Sequence, residues 1–239
     1  MDLGLNNKTV LVAAASQGLG KAIAEGFTAE GAKVFTCSRH TPIQCDLTNP
    51  EQIRQLLETI GPIDVLVTNA GGPKPGTFSA ISDADWEATF QLTFMSAIHL
   101  IRGVLPHMQQ QHWGRIICLT STSVKQPLDN LITSNAIRAA VANLAKSLAN
   151  EYGQDGITVN VVAPGMFETD RLQKLIQSRA DASGYMFDEE KDILRRTIPV
   201  RRFGDPAELA ATVVFLASEP GGYINGVSLA VDGGLTKSV

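Results

Sequence analysis

The sequence predicts an α/β fold in which about seven strands form one doubly wound parallel sheet with helices on both faces. Three observations predict it. Short apolar runs of strand length alternate along the chain with longer segments of helical periodicity. Residues 9–35 make one complete strand–helix–strand unit with a glycine-bearing turn between strand and helix. No linker, repeat or low-complexity tract divides the 239 residues, so a single domain over 1–239 is expected.

The first unit organises the rest. Val10-Leu11-Val12 reads as a buried strand. Ala13 to Gly20 is a loop of small residues. Lys21 to Glu30 carry Ala22, Ile23, Phe27 and Ala29 at helical spacing, with Gly31 at the C-cap. Ala32 to Phe35 begins a second strand. Gly18 and Gly20 stand at the turn into the helix, where backbone N–H groups approach a diphosphate and the helix N-terminus adds partial positive charge. A glycine pair alone is weak evidence, because turns use glycine everywhere. The strand before it and the helix after it make this turn a candidate nucleotide site.

Arg39 follows the second strand. An acidic residue there would take a ribose 2′-hydroxyl, whereas an arginine suits a 2′-phosphate, so NADP is expected over NAD; the bland alternative is a solvated arginine. Residues 39–46 are too few for a helical crossover, which predicts a trimmed connection and a very short strand from Ile43 to Cys45, ending in Asp46-Leu47 beside the adenine. Asn49-Pro50-Glu51-Gln52 reads as N-cap, proline at the first helical position and glutamine at the capping-box site. That helix ends near Ile60, before Gly61-Pro62.

Asp64 to Thr68 is the next strand, and Asn69-Ala70-Gly71-Gly72 at its end give close backbone access to a ligand. Ser82 caps a long helix over 83–110, with interruptions expected at Gly103 and Pro106. Arg115 to Thr120 is a fifth strand ending in Ser121-Thr122-Ser123. A loop with Lys125 and Pro127 leads to a helix over 133–152. Gly156 to Val162 is a sixth strand ending in Ala163-Pro164-Gly165. Residues 166–200 are polar, charged and irregular, the profile of a mobile lid over a pocket. Asp205-Pro206-Ala207-Glu208 is a second capping box, its helix ends near Ser218, and Val227 to Val231 is the last strand before Asp232-Gly233-Gly234.

Composition narrows the function classes. A net charge of −4 and a pI near 5.6 argue against a nucleic-acid partner. No apolar run is read as long enough to span a membrane, and the N-terminus lacks a signal pattern. Cys37, Cys45 and Cys118 fall in or beside predicted strands without metal spacing, which reads as buried free thiols in a reducing cytoplasm. His99, His107 and His112 have no partner at metal spacing, so no metal site is expected.

The glycine-bearing turn, Asn69-Ala70-Gly71, Ser121, Pro164-Gly165 and Val231-Asp232-Gly233-Gly234 together resemble the short-chain dehydrogenase/reductase family in order and spacing, over nearly the full chain. The tail is most similar to its 3-oxoacyl-acyl-carrier-protein reductases. The resemblance implies a Rossmann-type sheet and hydride transfer between a nicotinamide cofactor and a small-molecule carbonyl or alcohol. It implies cofactor contacts at Ala14, Ser16, Gly18, Leu19, Gly20, Arg39, Asp46, Leu47, Asn69, Ala70, Gly71, Arg138, Pro164 and Gly165. It also implies a tetramer or dimer built through 83–110 and 133–152, whose Phe94, Ile98, Ala140, Leu144 and Leu148 allow one.

Two regions depart from the family pattern. The first glycine of its turn is here Ala14, after Ala13 where threonine is usual. Of the catalytic serine, tyrosine, lysine and asparagine, only the serine remains: the positions are held by Ser121, Ser134, Arg138 and Thr93. A phenol titrates near pH 10 and a neighbouring cation brings it within reach of neutrality, whereas a serine hydroxyl is far too weak an acid. Arg138 keeps the positive charge but does not give up a proton near neutral pH. Lys125, four positions after Ser121, is a candidate replacement acid, against the bland reading of a solvated loop lysine. Tyr185 in the lid is a weaker candidate and Tyr152, at a helix end, a poor one. Three readings stay open: an NADP-dependent oxidoreductase with a rebuilt proton path, a non-redox enzyme such as a dehalogenase, and a non-catalytic nucleotide-binding or regulatory homologue.

Overall fold

The computed structural model describes residues 1–238. Seven parallel strands lie in the order β3-β2-β1-β4-β5-β6-β7. They are β1 (Thr9–Ala13), β2 (Lys33–Ser38), β3 (Ile43–Gln44), β4 (Val65–Thr68), β5 (Gly114–Leu119), β6 (Ile157–Pro164) and β7 (Ser228–Val231). The principal helices are α1 (Gly18–Ala29), α2 (Pro50–Ile60), α3 (Asp83–Thr89), α4 (Ser96–Gln110), α5 (Ile132–Tyr152), α6 (Asp170–Ser183), α7 (Phe187–Thr197) and α8 (Pro206–Ala217).

Side chains of successive strand residues leave the sheet on opposite faces, and the core divides accordingly. Leu11, Leu66, Ile116 and Val159 face α2, α4 and α5. Val10, Val12, Val67 and Ile117 face α1 and α8. From β1 the chain winds outward through β2 to β3, then returns to place β4 on the other side of β1. The strand order therefore reverses between β1 and β4, and their C-terminal ends open a crevice at that point.

Local chemistry explains most element ends. Gly31, at φ +76°, ends α1, and the N–H of Ala32 reaches back to the Phe27 carbonyl. Ser82 and Asp85 form a reciprocal capping box on α3, and Asp205 with Glu208 form one on α8. The expected box on α2 is only half made. Asn49 caps the N–H groups of Glu51 and Gln52, but the Gln52 amide oxygen instead accepts from the Asp46 N–H at 2.7 Å.

Three expectations are corrected. The helix over 83–110 is not broken at Gly103 or Pro106. Both lie inside α4. A Cβ on Gly103 would collide with Leu57, so that glycine serves the approach of α2, and Pro106 falls near the helix end where few bonds are lost. The irregularity sits instead at Phe90–Met95, a π-helical segment between α3 and α4. Asp83–Gln110 is also long and apolar enough by length and composition to cross a membrane, with a mean hydropathy of 1.2 in its best window. Here its Ala97, Leu100, Ile101, Val104 and Met108 fill the core, which accounts for that hydropathy.

Residues 166–200 are the third correction. They form α6 and α7 around a small core of their own, made by Leu172, Ile176, Leu194, Ile198 and Phe203. Thr169 caps α6 and Gly184, at φ +77°, ends it. The buried Glu190 of α7 pairs with Arg179 of α6. At the base of the segment, Gly204 N–H donates to Met166 O and Glu168 N–H donates to Gly204 O, both at 2.9 Å.

Candidate active site

The crevice between β1 and β4 collects the residues expected at a cofactor. Ala14 begins the β1–α1 turn with φ +48°, left-handed backbone that a Cβ disfavours by about 1 kcal/mol. Gly18 also has a positive φ, +58°. A Cβ on Gly20 would lie 2.8 Å from the Ala14 carbonyl and 2.9 Å from the Asn69 side-chain nitrogen, so only glycine fits there. Asn69 closes the same turn from β4, donating from Nδ2 to the Ala14 carbonyl at 3.2 Å. Ala70, Gly71 and Gly72 continue past it, with Gly71 and Gly72 exposed. Ser16 is exposed on the turn, and Leu19 packs against the α1–α8 side of the core.

Arg39 is exposed just beyond β2 and, among the described residues, has no carboxylate partner. Asp46 is held below the usual carboxylate range by the Thr48 backbone N–H and hydroxyl, with a smaller contribution from Arg39. Leu47 is buried in the α2 side of the core. At β6, Pro164-Gly165 closes against β7: a Cβ on Gly165 would stand 2.6 Å from the Asp232 Cβ. Packing alone therefore requires that glycine.

The reacting side of the crevice is built at the end of β5. Ser121 caps a short 3₁₀ turn over Thr122–Val124, its hydroxyl accepting from the Ser123 N–H at 3.2 Å. Arg138 crosses beneath it from α5 and donates from one terminal nitrogen to the carbonyls of Leu119 (3.3 Å) and Thr120 (2.9 Å). Ser134, one turn earlier on α5, is also buried, so the two side chains share a helix face. Arg138 is 6% exposed and, among the described residues, pairs with no carboxylate. Burial pulls its guanidinium down to about 10, and the charge of Arg171 adds to the effect. It remains a cation at neutral pH.

A cavity of about 10 Å³, the room of one water molecule, lies between these parts. Arg138, Thr93, Ser96, Asn69, Ala70 and Thr120 are among its lining residues. Thr93 stands in the π-helical segment, and its buried hydroxyl has no hydrogen-bond partner. An orphan hydroxyl of this kind is costly unless water or a ligand completes it.

None of the three tyrosines stands beside Ser121. Tyr152 is 18 residues beyond Ser134 on α5, about 27 Å along the axis. Tyr185 is 54% exposed between α6 and α7, and Tyr223 is fully exposed in a groove at the opposite end of the sheet. Lys125 is half-buried beside the 3₁₀ turn, and its carbonyl accepts from the Ser238 hydroxyl. Cys37, Cys45 and Cys118 are free and buried, and no metal-binding group is present among the described residues.

Two residues in this region escaped the sequence reading. Thr169 and Arg171 open α6 and stand over the crevice. The Thr169 methyl is 3.7 Å from where a Cβ on Gly18 would be, and a Cβ on Gly72 would collide with the Arg171 guanidinium. The signal was a threonine N-cap ahead of Leu172 and Ile176 at helical spacing.

Comparison with known proteins fits this architecture. Residues 13–236 match a family model described as Enoyl-(Acyl carrier protein) reductase. The 3-oxoacyl-[acyl-carrier-protein] reductase FabG of Vibrio cholerae is 34% identical, over 98% of this chain and 99% of its own. The L-sorbose reductase of Gluconobacter frateurii, solved with NADPH and L-sorbose, superposes with a TM-score of 0.95 at 31% identity over all of both chains. YwfH, an NADPH-dependent reductase involved in bacilysin biosynthesis, superposes with a TM-score of 0.91 at 28% identity, over 98% of this chain and 100% of that one. With its seven-stranded parallel sheet and a match along almost its whole length, the chain belongs to the short-chain dehydrogenase/reductase family.

Proposed function

We propose that the protein is an NADP-dependent oxidoreductase that interconverts a small-molecule carbonyl and its alcohol without a phenolic acid. One observation carries the reading. Arg138, buried and without a carboxylate partner, is fastened to the carbonyls of Leu119 and Thr120, immediately before Ser121. A cation kept at that depth against its desolvation cost implies that negative charge is received there.

The crevice suits a dinucleotide on its own geometry. Gly20 leaves clearance that any Cβ would fill, Gly18 and α1 present backbone N–H groups, and the Thr93 hydroxyl awaits a partner. A bound nicotinamide supplies the hydride. The protein does the rest. Arg39 suits a 2′-phosphate, and Asn69 holds the turn to which Gly18 and Gly20 belong. The Ser121 hydroxyl orients a carbonyl oxygen by hydrogen bonding, and Arg138 stabilises negative charge as it grows there. Ser134 adds a buried hydroxyl but not an acid. The proton is assigned to solvent water or to the Lys125 ammonium at the rim. The FabG and sorbose reductase likenesses support a carbonyl substrate and NADPH. The assembly expected is a homo-oligomer through the α4 and α5 faces.

A second reading follows from the missing donor: a nucleotide-binding homologue that does not turn over. One experiment separates them. Calorimetric titration with NADPH and NADH is expected to show binding with NADPH preferred. A screen of carbonyl substrates then compares wild type with the Ser134→Tyr/Arg138→Lys double variant. Measurable wild-type turnover, raised about 10²-fold in the variant by a restored acid, is expected. Binding without any wild-type turnover, but with activity gained in the variant, selects the second reading. Absence of dinucleotide binding overturns both.

A further inference from the structure

The charge in the crevice is not balanced by what the β1–α1 turn provides. That turn offers a dinucleotide backbone N–H groups and a helix end, but no arginine or lysine lies between Ala13 and Gly20. Lys21, next in sequence, is exposed and paired with Glu25 at 3.7 Å. Arg39 lies beyond β2, where it suits a 2′-phosphate instead. A diphosphate carries two negative charges, and any side-chain counter-charge for it comes from outside this turn.

Arg171 is placed for that task. It sits in the first turn of α6, exposed, with no ion pair among the described residues. Its guanidinium rests on Gly72, and the neighbouring Thr169 reaches over Gly18. The first turn of α6 thus bridges the β1 and β4 lips of the crevice. Arg171 and Arg138 bear on each other with like charge, and among the described residues neither forms an ion pair with a carboxylate. The Thr93 hydroxyl, unpartnered in the one-water cavity that Arg138 lines, is a separate sign that water or a ligand completes the crevice.

We propose that Arg171 is a dinucleotide-binding residue, the side chain that neutralises the diphosphate when the cofactor occupies the crevice. The inference rests on the functional reading above. Gly72 has a matching role: with no side chain, it leaves the guanidinium its place at the lip. Arg171 and Arg39 then divide the cofactor between them. The first answers the diphosphate common to NADPH and NADH, the second only the extra phosphate of NADPH.

Calorimetry on the full chain tests this with four ligands: NADPH, NADH, ADP-ribose and adenosine 2′-phosphate. Arg171→Gln is expected to weaken the first three about tenfold, to flatten their salt dependence, and to leave adenosine 2′-phosphate unchanged. Arg171→Lys should recover part of the loss, because the charge remains. Arg39→Gln should weaken NADPH and adenosine 2′-phosphate and spare NADH and ADP-ribose. Thermal unfolding of Arg171→Gln should match wild type, since the residue is exposed and unpaired. If wild type binds the dinucleotides and Arg171→Gln binds them equally well, the inference fails and the functional reading stands. If Arg171→Gln alters only the KM of a carbonyl substrate, the arginine serves the substrate and the inference is overturned. If wild type binds none of the four, both fail.

Discussion

Arg115 and Arg138 hold the two ends of β5. Arg115, the second residue of the strand, donates to the carbonyls of Gly114 (2.9 Å) and Gly156 (3.2 Å). Its guanidinium lies 4.4 Å from the Trp113 ring centre, and Lys8 covers that ring at 3.7 Å. Burial lowers the Arg115 pKa, and Glu219 opposes that shift. Arg138 makes the same kind of carbonyl bonds at the other end of the strand, yet among the described residues it has no aromatic ring and no ion-paired acid against it, only the repulsion of Arg171. The same side chain is thus a fastening at one end and an open charge at the other. Neighbouring groups, more than burial, separate the two arginines.

Exchange of each arginine for methionine tests this contrast most strongly. Arg138→Met should cut turnover by about 10²-fold with a net stability change within about 1 kcal/mol, because removal of an unpaired buried cation offsets the loss of its two carbonyl bonds. Arg115→Met should do the reverse, costing about 1–2 kcal/mol through its lost ring contact and carbonyl bonds with turnover unchanged. Parallel thermal melts and initial rates read both. An unfolding loss in Arg138→Met larger than in Arg115→Met would erase the distinction.

The pH dependence sharpens it further. Burial, with the charge of Arg171, pulls Arg138 from its ordinary value down to about 10, so folding disfavours its charged form. Its burial penalty is therefore complete below about 10 and eases as pH rises above it. Turnover that uses the cation should fall as pH rises through about 10, and the residual rate of Arg138→Met should lack that limb. The smallest effect is expected at Ala14. Ala14→Gly relieves left-handed strain but loosens the unfolded chain, for a net gain of about 0.5 kcal/mol, measurable by chemical denaturation.

Much of the sheet was legible in the sequence because each strand is a short apolar run bounded by turn residues. The caps at Ser82, Asn49 and Asp205 were legible for the same local reason. What escaped depends on partners distant in sequence. Gly103 looks like a helix breaker until Leu57 of α2 is set against it. The π-helical turn at Phe90–Met95 has no glycine or proline to announce it. Helices α6 and α7 were hidden by their polarity, since α6 buries only Leu172, Ile176 and Ala180, and α7 only Leu194 and the charged Glu190. At the candidate site, the family resemblance implied catalytic positions at Ser134, Arg138 and Thr93. The bond of Arg138 to Thr120 and the reach of Arg171 to Gly72 were not legible, because both cross between elements.

The pair of bonds joining Met166 and Glu168 to Gly204 has a mechanical consequence. It cinches the chain where α6 departs and shortly after α7 returns, so the two helices hang as a pouch with a drawn neck. Leu172 and Ile176 of α6 and Leu194 of α7 pack on one another above that neck, so the two helices draw their apolar burial from each other rather than from the sheet.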